Sequence, residues 1–397
     1  MDAVKTNDTA AVRRLLAEHG AELKPALDET IPCWAFGETP LIAAVRKRNR
    51  EMIDLLADAG ADLNGRSKWW AGGFGLLDEA AEDPAFAEYL IARGTVVDVH
   101  AASRLGKLDR LRELIGADPS LVNARGGDGM MPLHFAATVE IASYLVESCG
   151  ADINARDVDH ESTAAQYMVR DRQEIARYLV SRGCDTDILM AAALGDAQLV
   201  DRLSTDDTIR TCVSPKYFPM KDPRAGGSIY IWTLGGRKTA HQIAHEFGHT
   251  AIYESLMAKS PAGLRLAVAC ELGDEALVRS LAGAELHPDD QARVVNAAKS
   301  NDLGKVIRML GVGFRVDALD DGATALHWAA FHGNPKMAEL LLNQKAPLDL
   351  PDANHGGTPL EWASYGSVHS WLRETGTYPA VIDLLVERGA KTPLDVQ

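Results

Sequence analysis

Residues 241–249 of this 397-residue chain read HQIAHEFGH and contain His245-Glu246-Phe247-Gly248-His249, a match to H-E-x-x-H. On an uninterrupted helix that spacing puts two imidazoles on one face to bind zinc, with the glutamate as general base for hydrolysis. His241, four residues before His245, could face together with it as a separate pair, but two ligands without a third make a poor zinc site. The third ligand of a zinc hydrolase is missing. The extended pattern requires Gly at 252 and His at 255, where the chain has Ile252 and Ser255. Glu271 is near enough downstream, but it lies in AVACELGDEALV beside a turn. Gly235-Gly236-Arg237-Lys238-Thr239 approaches a phosphate loop, yet Arg237 separates the last glycine from the lysine. There is no G-x-S-x-G nucleophile elbow. Cys33, Cys149, Cys184, Cys212 and Cys270 are odd in number and form no C-x-x-C pair, which favours reduced thiols over a disulfide framework or a cysteine zinc site.

The elements that would carry these residues are set by internal repetition. TPLIAAVRKRNREMIDLLA from Thr39, MPLHFAA from Met131 and TALHWAAFHGNPKMAELLL from Thr324 share a helix-starting head followed by alanines. In the longer two, a turn and a second apolar stretch ending in leucines follow. LMAAALGDAQLVDRL, AVACELGDEALVRSL and VNAAKSNDLGKVIRML keep the same body without the head. GADLN at 60–64, GADIN at 150–154, GCDTD at 183–187 and GAK at 389–391 close the second stretches. Gly60 and Gly94 are 34 positions apart, Gly150 and Gly183 are 33, and Thr324 and Thr358 are 34. Proline in the first helical turn, small alanines between close helices and glycine after the second helix are what a stacked helix-turn-helix unit needs.

This period, the T-P-L-H-x-A-A head and the G-A-D-x-N terminator resemble the ankyrin repeat over almost the whole chain. The resemblance implies an all-α solenoid of stacked helix-turn-helix units joined by short β-fingers. We expect a single continuous array over 1–397 with roughly twelve full or partial units. One of them, MPLHFAATVEIASYLVESCG, is shortened around its inter-helix turn. In this register TAHQIAHEFGHTAIYESLM from Thr239 lies over the Thr324 segment. Gly248 then falls on Gly333 and His249 on Asn334, in the turn between two helices. The zinc motif is thereby split, and no catalytic or metal residue is expected. What stays particular to the unit is His241 in a leucine slot and His245 in an alanine slot. His134 and His327, in the T-P-L-H position, are expected to make structural hydrogen bonds.

Four segments depart from the repeat length, and in repeat proteins such insertions commonly carry function. Residues 24–37 hold Trp34 and Phe36; 65–75 hold Trp69, Trp70 and Phe74; 205–237 hold Tyr217, Phe218, Tyr230 and Trp232. All three connect a second helix to the next first helix, the finger side of an ankyrin array. The alternation in SIYIWTL predicts a strand and a hairpin-like finger. Trp34, Trp69, Trp70, Tyr230 and Trp232 are the candidate partner anchors, since large rigid aromatics dominate interface energies. The alternative for these rings is packing against neighbouring fingers. The fourth segment, 366–378, interrupts its unit between the two helices. His369 and Arg373 there could form a small polar ligand site, or the segment could cover the last unit's apolar face. It resembles segments of bacterial ankyrin proteins, which implies a bacterial source.

The formal net charge of −15 argues against nucleic acid as partner, because phosphate binding needs clustered Lys and Arg. It suits a basic protein surface. The N-terminus lacks an apolar signal core and no apolar run reaches membrane-span length, so a cytoplasmic location is expected. The resemblance implies a non-enzymatic protein-interaction scaffold without cofactors. A zinc hydrolase centred on HEFGH and a ligand binder using an insertion-formed pocket are the alternatives.

Overall fold

In the computed structural model, residues 1–31 and 35–391 are described. Short helices follow one another in pairs along the chain, joined by tight turns; longer segments link most pairs, although only Ser260 and Pro261 separate Thr250–Lys259 from Ala262–Leu272. The chain divides into two compact units. One is made of 1–199 and 212–238, the other of 200–211 and 239–397.

The threonine heads start first helices for an explicit reason. Backbone N–H groups in the first turn have no intrahelical partner. Thr163, Thr239 and Thr358 solve this with Gln166, Gln242 and Glu361, whose side chains accept the threonine N–H at 2.8, 3.0 and 2.7 Å. In the Thr324 unit His327 takes that role: its Nδ1 accepts the Thr324 N–H at 3.1 Å, and its Nε2–H donates to Gly357 O at 3.2 Å. His134 repeats the arrangement, from Met131 N to Ser162 O. Each histidine thus ties its helix to the next finger with a fixed tautomer. Burial holds His134 down to about 4 and lowers His327 as well, so both work as neutral rings.

Alanine pairs such as Ala43 and Ala44, Ala191 and Ala192, and Ala329 and Ala330 are completely buried, where their small size lets helices approach closely. Around them the first unit buries Leu41, Met52, Leu56, Leu76, Phe86 and Leu90. The second unit buries Leu266, Val294, Met309, Leu326, Met337, Leu341 and Leu385. The shortened unit keeps only a single 3-10 turn, Pro132–Phe135, as its first helix, and its second helix widens at Tyr144–Ser148.

Among the described residues no strand forms. The fingers are represented by two isolated bridges, Arg156 with Thr163 and Asp320 with Ala323. Neighbouring fingers still bond to each other within each unit, Val158 N to Asp128 O at 2.8 Å in the first and Ala353 N to Gly322 O at 3.1 Å in the second. The strand expected in SIYIWTL is absent as well. Ile231–Gly235 is one wide helical turn, opened by the N–H of Trp232 and of Thr233 bonding to Ile229 O at 3.0 Å. The period-2 reading put Tyr230 and Trp232 on one face. The turn buries Tyr230 and Leu234 and turns Ile231 and Trp232 outward.

Candidate functional site

The HEFGH stretch is divided between two helices. Ala240–Glu246 ends at Phe247, Gly248 turns the chain at φ 76°, and His249 precedes Thr250–Lys259. Glycine is the residue that adopts this left-handed turn without strain. His245 lies exposed against Tyr253 and His249 stacks on Phe247, so no shared ligand face exists. His241 is completely buried in the slot that Leu41, Leu326 and Leu360 fill elsewhere. The Ser260 hydroxyl donates to Leu256 O and accepts the His241 Nε2–H at 2.7 Å, while Nδ1 has no hydrogen-bond partner. Burial, with Arg293 nearby, pushes His241 down to about 3. It is a neutral core imidazole.

The finger insertions of the first unit meet one another. Trp34 lies outside the described residues. Trp69 packs on Phe36 with ring centroids 4.8 Å apart and on Trp70 at 6.2 Å. The Arg224 guanidinium, held by both oxygens of Asp222, covers the Trp70 ring at 4.3 Å. Both tryptophans are half-buried. The later insertion clamps the Asp157–Ser162 finger: Lys221 N bonds to Glu161 at 2.7 Å, Gly226 N to Asp159 O at 2.9 Å and Ile229 N to Ser162 Oγ at 3.2 Å. Tyr230, expected as an exposed anchor, is instead fully buried; its hydroxyl donates to Asp187 at 2.9 Å and its ring meets Phe218. Burial and the Asp187 charge raise the Tyr230 phenol, which stays protonated. Trp232 is the anchor left open to solvent, at 72% exposure, beside Ile231 at 37%.

Sequence reasoning missed an ionic group behind these fingers. Asp128, Asp159 and His160 bring one ligand atom each within 4.8 Å of one another, and this is the site among the described residues where such groups gather in metal-binding fashion. The loop already uses much of it: His160 Nδ1–H donates to Gly227 O at 2.8 Å, and Asp159 accepts Gly226 N–H at 3.2 Å. Burial and the Asp159 charge push Asp128 up to about 6. Hydrogen bonds of His160 and Asp159 with the Gly226–Gly227 backbone fasten the fingers here, while the two carboxylates repel each other.

In the second unit the 366–378 segment does not bring His369 and Arg373 together into a polar site, one of the two readings of this segment. His369 stacks on Tyr365 at 4.1 Å, and Arg373 pairs with its neighbour Glu374. The first helix runs on through Pro359–His369 and crosses close to Phe331 at Gly366, where a Cβ would come within 2.2 Å of Phe331 O. Tyr378 Oη donates to Phe331 O and Thr377 N to Gly333 O, which fastens the end of the segment. The result is an aromatic hollow of about 420 Å³ lined by Trp328, Phe331, Trp362, Tyr365 and Trp371, with His355, Gly357 and Glu361. Trp328 and Trp362 occupy the same repeat position in consecutive units and meet edge to face at 5.1 Å. That coincidence was readable in the sequence as T-x-L-x-W twice, 34 residues apart.

A family model of ankyrin repeats in three copies matches residues 99–190 and 294–393, and a single ankyrin-repeat model matches 36–68. Among curated relatives, ankyrin repeat and SAM domain-containing protein 6 of Rattus norvegicus is 32% identical over 115 residues, covering 28% of this chain and 13% of that protein. The protein of the same name from Mus musculus is 31% identical over 115 residues, with the same coverage. The match therefore spans a small part of these relatives. No described helix is long and apolar enough to cross a membrane.

Proposed function

Since the chain belongs to the ankyrin-repeat family, whose repeats are generally protein-interaction modules, we propose that it is a non-enzymatic scaffold binding a protein partner through the fingers of its first unit. The observation that carries this reading is Trp232. It stands 72% exposed on a turn whose root, Tyr230, is fully buried and bonded to Asp187. A rigidly mounted, exposed tryptophan can bury a large apolar area on binding at little entropic cost. Ile231 extends the apolar contact beside Trp232, and Trp70 with the Arg224 guanidinium over it offers a further contact among the finger insertions. Trp69 and Tyr230 serve as supports, while Trp34 retains a contact role from its position in the sequence alone. The net charge of −15 supports a basic partner surface over nucleic acid. A cytoplasmic setting and a bacterial source belong to the same reading.

A photo-crosslinking amino acid placed at Trp232 tests this in cells. A protein adduct that disappears when the crosslinker is moved to exposed Ile307 is the expected result. Equal labelling from both positions, or none from 232, would overturn the reading.

A further inference from the structure

The aromatic hollow of the second unit has a chemistry that general partner binding does not explain. Five aromatic side chains, Trp328, Phe331, Trp362, Tyr365 and Trp371, line it. Aromatic faces carry negative quadrupole potential and attract cations placed over them. The one formally charged side chain in the lining is Glu361, an anion. Trp328 already draws a cation from within the protein, with Lys299 Nζ 4.7 Å from its ring centroid, although Lys299 does not line the hollow.

Part of the hydrogen bonding in the lining is already used within the protein, so a guest with several N–H donors would find acceptors mainly at Glu361 and Tyr365. Trp362 Nε1–H is given to Asp352 at 3.0 Å, Glu361 accepts from Thr358 N at 2.7 Å, and Gly357 O accepts from His327. A primary ammonium entering here would lose water from N–H donors without full replacement. A fully alkylated ammonium has no N–H to satisfy and keeps its charge. Around the hollow, Tyr365, Val368 and Trp371 remain 60–63% exposed, more apolar surface than a headgroup alone would cover.

We infer that this hollow binds an alkylated ammonium group presented by a partner protein, that is, a trimethylated lysine with its flanking chain. The inference rests on the scaffold reading but uses a different surface from Trp232. The test is titration of the purified protein, followed by tryptophan fluorescence and calorimetry. The probes are Nα-acetyl-trimethyllysine methylamide, its unmethylated counterpart, its neutral tert-butyl isostere, and tetramethylammonium. The trimethylated probe should bind about tenfold more tightly than both the unmethylated and the neutral probes. Trp371→Ala should abolish that preference with the circular dichroism spectrum unchanged; a small fall in melting temperature is expected because the ring, though 61% exposed, packs on Phe331 and His332. Trp232→Ala should leave it intact. Equal affinity for the neutral isostere, or no binding of any probe, would overturn the proposal. Tetramethylammonium binding as tightly as the amino-acid probe would overturn its assignment to a protein-borne group. Loss of the Trp232 adduct with this preference retained would sink the finger reading alone.

Discussion

Replacing His241 by leucine should make the second unit less sensitive to acid. In the unfolded chain a histidine titrates near 6.5; in the fold His241 is held to about 3 by burial and by the nearby Arg293. Below pH 6.5 the unfolded chain therefore takes up a proton that the folded protein refuses. Stability is full above the unfolded value and is lost as pH falls towards the folded one. Between pH 7 and pH 5 this single group should cost about 2 kcal/mol, and about 3 kcal/mol by pH 4. His241→Leu removes the proton site and the unpartnered Nδ1. Ser260 keeps its bond to Leu256 O, and leucine already fills the equivalent positions 41, 326 and 360. At pH 7 the variant should be as stable as the parent or more so, by roughly 1 kcal/mol. Urea unfolding of both proteins at pH 7 and pH 5, followed by ellipticity, gives the comparison. Since other titrating groups are common to both proteins, the difference of differences isolates His241. A gap between parent and variant that widens by about 2 kcal/mol on acidification is expected. Parallel pH profiles would show that His241 is not a buried neutral ring.

Two further substitutions examine the fingers. Asp128→Asn should stabilise the first unit at pH 7 by about 1 kcal/mol after allowance for its partial exposure, because burial and Asp159 raise the Asp128 carboxyl to about 6. The penalty is full above that value and fades only as pH falls towards the unfolded carboxyl value near 3.9, so the gain should shrink by about half at pH 5, as thermal melts at the two pH values would show; Asn also tolerates the φ of 54° at this position. Tyr230→Phe removes the hydroxyl bonded to half-buried Asp187 and should cost about 1–2 kcal/mol. Faster proteolysis within 214–228 would accompany it, and unchanged cleavage would show that Tyr230 does not anchor the insertion.

The repeat architecture was legible because its devices are local: threonine heads, alanine pairs and turn glycines each act within one unit. The same register dissolved the zinc motif, since Gly248 sits where sibling units turn. The 205–237 insertion was misread because IYIW is apolar at every position and suits a strand or a helical turn equally. Its true conformation depends on Asp187 and Ser162, contributed by earlier units. The type of Tyr230 and its place in a finger insertion suit a contact residue, whereas a hydroxyl partner in another repeat goes with its burial. The Asp128, Asp159 and His160 group comes from successive fingers, and no sequence spacing announces it. The aromatic hollow was partly visible as matching tryptophans at 328 and 362. Only the path of 366–378 brings Trp371 to them while separating His369 from Arg373.

The central claim is that the protein binds a partner through Trp232 and its neighbours. Its most direct test is quantitative capture of proteins from the native cytosol by the parent chain and by a Trp70→Ala/Trp232→Ala variant that melts like the parent. The account predicts that one or a few proteins are depleted about thirtyfold with the variant, as expected for loss of an interface anchor worth about 2 kcal/mol. Recovery of the same proteins in the same amounts by both would contradict it.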